Sequence, residues 1–106
     1  MIMLICVICN EECELELLET AHLIPRCGTS NEEKYDPNIV EFFCLFCHKF
    51  YDAGKIGILD GKIQIKNIKK ELYKKLEGKT ITCYKEENKK YFDNHYQNIY
   101  NKNIII

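Results

Sequence analysis

The sequence predicts an α+β domain stapled by a bound metal ion, and three observations carry that expectation. Cys6-x-x-Cys9 and Cys44-x-x-Cys47 offer four thiolates in two closely spaced pairs. Short apolar runs bounded by turn residues alternate with stretches whose apolar positions recur at helical spacing. Asp60-Gly61 between two such runs is the signature of a tight β-hairpin. A chain of 106 residues buries only a thin core, so a metal staple would add needed stability. We expect residues 1–66 to form that core and 67–106 a basic helical extension of the same domain.

Taken in order, residues 2–8 read as a strand entering the first Cys pair. Residues 11–18 fit one helical turn or an irregular strand, because Leu15, Leu17 and Leu18 do not decide between the two periods. Residues 20–24 read as strand, stopped by Pro25, and 26–38 as loop, rich in Gly28, Ser30, Asn31 and Pro37. A strand is expected over 39–43 and a short helix over 45–52, with Phe46, Phe50 and Tyr51 buried and Gly54 closing it. Residues 56–59 and 63–65 flank Asp60-Gly61 as a type I′ hairpin. Ile68, Leu72, Tyr73 and Leu76 place a helix over 68–76, ended by Gly78. A short strand over 80–84 and a last helix over 91–99 complete the chain.

Composition excludes several classes. Hydrophobic residues at 46% with 29% charged describe a globular chain, not a disordered one. The apolar opening over residues 1–9 is too short to span a membrane and lacks the basic flank and cleavage site of a signal peptide. Seven cysteines, an odd number dominated by two Cys-x-x-Cys pairs, do not suit a secreted disulfide framework. An intracellular protein whose thiolates bind metal is expected. The net charge of −1 conceals a split: residues 1–60 carry 4 Lys/Arg against 11 Asp/Glu, and residues 61–106 carry 11 Lys against 5 Asp/Glu. A basic second half can track a phosphate backbone, although Ile, Lys and Asn are abundant throughout.

Cys6, Cys9, Cys44 and Cys47 form the clearest constellation. Four thiolates fill the tetrahedron of Zn²⁺ and leave no place for water, so the site is structural. The rival is two unrelated thiol pairs or a redox dithiol. Cys13, Cys27 and Cys83 are unpaired by spacing; buried thiols are their default, with Cys13 a substitute ligand if one of the first pair is misassigned.

His22 at a strand end is a candidate general base, since neutral imidazole can take a proton from an attacking water; a histidine satisfied in the core is the alternative, which the Asn38 and His48 partners disfavour. His48 directly follows Cys47, so a zinc knuckle would aim it, and Asp52 lies four residues on along one helical face. Such a His/carboxylate pair suits Mg²⁺ or another divalent ion at an open site. Asp52 bonding the backbone of its own turn is the alternative. Asn38 cannot act as a base but can orient the loop. Arg26 can grip phosphate through its planar fork. Lys66, Lys69 and Lys70 form either a backbone-contacting ridge or a solvated face, and His95 reads as a packing or surface residue.

The segment Ala21-His22-Leu23-Ile24-Pro25, Asn38 in its Asp-Pro-Asn turn, and Cys44-Leu-Phe-Cys47-His48 through Gly54 resemble the HNH endonucleases. The likeness is to the zinc-stapled kind whose first motif reads Ala-His-Ile-x-Pro. The resemblance implies a ββα-metal (His-Me finger) core and metal-dependent hydrolysis of DNA to 5′-phosphate and 3′-hydroxyl ends. It gives His22 the base role, Asn38 the loop-orienting role and His48 the metal role. Many members place a metal-binding Asp or His before the base, where this chain has Ala21. The expected partner is DNA, with a homodimer needed where both strands are cut. The alternative is a zinc-stapled module that binds DNA or protein without cutting.

Overall fold

The structure, a computed structural model, describes residues 4–25 and 29–101. The described residues are α+β, with two antiparallel strand pairs and four α-helices. Strand β1 (Leu18–His22) follows a 3-10 turn at Leu15–Leu17 and pairs with β2 (Val40–Cys44). The register sets Leu18 opposite Cys44 and His22 opposite Val40. One further bond, from Leu23 N to Ile39 O at 2.8 Å, continues the pairing past His22.

Helix α2 spans Leu45–Asp52, the bounds the sequence implies. Cys44 both ends β2 and caps α2, its sulfur accepting from Cys47 N at 3.5 Å. Beyond the helix, Gly54 takes φ 75°, a left-handed conformation that glycine reaches without steric cost. The buried face differs from expectation. Cys47 and Tyr51 are buried, but Phe46 is 58% exposed, because the Cys pair commits the first turn to the sulfur cluster and rotates Phe46 outward. Strands β3 (Ile56–Leu59) and β4 (Lys62–Ile65) form the expected hairpin, with Asp60 at φ 51° and Gly61 at φ 80° as a type I′ turn requires.

Other expectations need correction. The strand over 2–8 is replaced, within the described part, by one isolated bridge from Ile5 to Glu12 and a turn over 7–9. Asn10 N donates to Cys6 O at 2.9 Å and Asn10 sits at φ 59°. Presenting two sulfurs to one point demands a chain reversal, which an extended strand cannot supply. The loop over 26–38 contains a one-turn helix, α1 (Asn31–Lys34), opened by a capping box between Ser30 and Glu33. The helix over 68–76 shrinks to α3 (Glu71–Lys74); Tyr73 and Leu76 are buried but Leu72 is 60% exposed. The strand over 80–84 reduces to a single bridge from Thr80 to Lys62.

The final helix starts earlier than expected. Helix α4 spans Glu86–His95 and continues as a π-helical segment, Tyr96–Tyr100. Its buried side, Asn88, Tyr91, Phe92 and His95, packs onto the core built from β1–β4 and α2. Tyr91 donates its hydroxyl to Asp36. Among the described residues no helix is long and apolar enough to cross a membrane.

His95 takes the packing role, one of the two that the sequence suggests for it. It is buried, stacks on the Tyr51 ring at 3.5 Å, and lies with Nε2 2.7 Å from the Tyr51 carbonyl. A carbonyl only accepts, so Nε2 carries the proton and Nδ1 is left without a partner. Burial lowers its pKa to about 4. In the unfolded chain the ring takes a proton near pH 6.5, so from there down to about 4 the unfolded state binds more protons. Stability is therefore expected to fall as pH drops through that window, by about 3 kcal/mol. Urea midpoints measured across pH 4–7 check this, and His95→Gln should flatten that part of the curve.

Candidate functional site

Two sites emerge, a thiol cluster and a cleft beside it on the same helix. The Sγ atoms of Cys6, Cys9, Cys44 and Cys47 all lie within 4.8 Å of one another. Four sulfurs each about 2.3 Å from a tetrahedral zinc ion are about 3.8 Å apart, so the donor set fits that ion. Cys6 and Cys9 come from the reversal at 6–10, and Cys44 and Cys47 from the junction of β2 with α2. Val7 N donates to Phe42 O at 3.0 Å, holding the two pairs against each other.

The electrostatics of the cluster favour a cation. Hydrogen bonds from Cys44 and then Cys47 pull the Cys6 thiol far below its ordinary value. Cys44 is lowered to about 7, chiefly through Cys47. Cys9 and Cys47 are raised, in both cases chiefly through Cys44. Sulfurs this close share negative charge poorly, and a divalent ion that displaces their protons removes the conflict. The four residues are thus positioned to hold a metal ion, consistent with structural zinc. Cys13 stands outside the quartet, its thiol raised by desolvation and by the charges of Cys44 and Cys6. Cys83 is pushed up to about 12, mainly by burial, which makes it an inert thiol.

The second site is a cleft of about 340 Å³ lined by Thr20 and His22 of β1, Leu23–Pro25, His48, Tyr51 and Asp52 of α2, and His95 and Ile99. It brings His22 of β1 together with His48 and Asp52 of α2. His22 arrives at the end of β1, and His48 arrives one residue after Cys47, on the first turn that the sulfur cluster fixes. Tyr51 braces the wall by donating its hydroxyl to Leu23 O at 2.6 Å. His48 has a carboxylate on each side: Nδ1 is 2.7 Å from Glu19 Oε1, and Nε2 is 3.2 Å from Asp52 Oδ2. Desolvation raises the Asp52 carboxyl above its usual value, while the charges of His48 and Lys49 act in the other direction. The Asp52 side chain remains 62% exposed, so it meets the cleft's open side.

Asn38 does not line the cleft. Its amide nitrogen donates to Asp36 Oδ1 at 3.0 Å and its backbone N–H to the same oxygen at 2.9 Å. It therefore fixes the Pro37–Ile39 turn, whose last carbonyl receives Leu23 N next to His22. Arg26 and Cys27 lie outside the described residues. Lys66 donates to Tyr100 O and lies 4.3 Å from the Tyr100 ring centre, which commits it to the fold. Lys69 and Lys70 are exposed. Sequence reasoning passed over Glu19. The only sequence signal for it was an acidic residue two positions before the apolar Ala21, and a strand alternation in that short run gives little weight to one position.

No protein-family model matches the chain, and no curated protein matches it.

Zinc analysis of the purified protein should find one ion per chain. Cys47→Ser is expected to lose that ion and to unfold at lower denaturant concentration, while Cys83→Ser keeps it; plasma emission spectrometry and urea titration check both. Retention of full zinc by Cys47→Ser would contradict the assignment of the ligands.

Proposed function

We propose that the protein is a metal-dependent endonuclease of the HNH type, hydrolysing DNA phosphodiester bonds in the His22/His48 cleft. The observation that carries this reading is that His22, His48 and Asp52, from elements far apart in sequence, line one cleft next to a candidate zinc staple. Order supports it as well: strand, long loop, strand and helix run from β1 to α2 as in a ββα-metal core.

The residues fit a divalent ion. Cis ligands each about 2.1 Å from an octahedral ion are about 3.0 Å apart, close to the 3.2 Å between His48 Nε2 and Asp52 Oδ2. When bound, such an ion would polarise a phosphate oxygen and stabilise the departing 3′-oxygen. His22 would accept the proton of the attacking water as it bonds to phosphorus, and the released 3′-oxygen would take up a proton from solvent. Asn38 would act at a distance, by holding the turn whose carbonyl pairs with the chain just past His22. Glu19 and Asp52 on either side of His48 keep that ring from swinging out of the cleft.

A second reading, a zinc-stapled module that binds without cutting, is favoured by Ala21. That residue is fully buried and supplies no ligand beside His22. The same experiment separates the two. Supercoiled plasmid incubated with Mg²⁺ or Mn²⁺ should be nicked by the zinc-loaded protein, and His22→Ala should lower the rate about 100-fold or more. Salt-dependent binding of DNA with no product under either ion would leave only the binding module.

A further inference from the structure

The two carboxylate contacts of His48 are not equivalent. At 2.7 Å, Nδ1 and Glu19 Oε1 form a hydrogen bond that shares one proton. Nε2 and Asp52 Oδ2, 3.2 Å apart, form an ion-pair contact, at a spacing that neighbouring ligands of one ion also show. Exposure follows the same division, with Glu19 41% and Asp52 62% exposed. Glu19 sits in β1 opposite Phe43, whose ring meets His48 edge-on at 6.2 Å, so the ring is held on that flank by packing too. The strand that carries His22 into the cleft therefore also carries the group that grips His48, three residues earlier.

We propose that Glu19 is a positioning residue: it keeps the His48 proton on Nδ1 and so presents the Nε2 lone pair to a divalent ion shared with Asp52. An ionised carboxylate only accepts hydrogen bonds, so a neutral ring facing Glu19 at this distance donates from Nδ1. Coordination through one ring nitrogen requires the proton on the other, and a carboxylate there also strengthens the ring as a ligand. The ion's role rests on the nuclease reading, whereas the tautomer does not.

The test uses the zinc-loaded full chain in three forms, the native sequence, Glu19→Ala and Glu19→Gln. Long-range ¹H–¹⁵N spectra above pH 8 report which nitrogen of His48 carries its proton, and Mn²⁺ titration followed by electron paramagnetic resonance reports affinity. The native protein should show the Nδ1–H form. Glu19→Ala should move the proton to Nε2 and weaken Mn²⁺ binding about 10–100-fold. Glu19→Gln, whose amide oxygen still accepts from Nδ1, should keep the tautomer and recover most of the affinity. A native ring protonated at Nε2, or a Glu19→Ala protein that keeps either the Nδ1 proton or full Mn²⁺ affinity, overturns the proposal. If the tautomer and Mn²⁺ results come out as expected but no form cuts DNA, the hydrolase reading alone fails.

Discussion

Four sulfurs drawn to one point tie the start of the described chain to the junction of β2 with α2, and most of the architecture follows from that closure. Cys6 and Cys9 force a reversal where the sequence alone suggests a strand. Cys44 and Cys47 set where β2 stops and α2 begins, and therefore which way the helix faces. Phe46 is turned outward as a consequence, while Cys47 and Tyr51 turn in. In a domain this small, a metal ion held by these four cysteines would link distant segments and add stability to the folded chain.

The cleft inherits its geometry from the same junction. Two imidazoles can share a pocket only if the strand end and the helix start have a fixed relation, and three contacts maintain it. The Cys cluster fixes the helix start; Glu19 reaches from β1 to His48; and Tyr51 reaches from α2 to Leu23 just past His22. The C-terminal half contributes from behind. Helix α4 places His95 flat against Tyr51 and joins Tyr91 to Asp36, the residue that also holds Asn38. His95 and Ile99 thus form part of the wall of the cleft, and Lys66 is tied to the same C-terminal segment through Tyr100.

Charge in the cleft gathers around His48. Glu19 and Asp52 bring two carboxylates to one imidazole, on a half of the chain that is acidic overall. His95 shows the opposite solution to burying an imidazole: with a carbonyl as its partner and no carboxylate in contact, it stays neutral.

What the sequence determined by itself was local. The bounds of α2, the type I′ turn at Asp60-Gly61 and the two Cys-x-x-Cys pairs were legible because each depends on residues a few positions apart. The capping box Ser30-Asn-Glu-Glu33 was equally local and announced α1, although the surrounding Gly and Pro residues masked it. Tertiary structure decided the rest. Whether residues 80–84 pair as a strand depends on the reach of β4, whether Leu72 is buried depends on the packing of Tyr73 against Phe50, and Glu19 meets His48 across 29 positions of chain. Contacts of that range are set by the convergence of the four cysteines and by strand register, and no local periodicity encodes them.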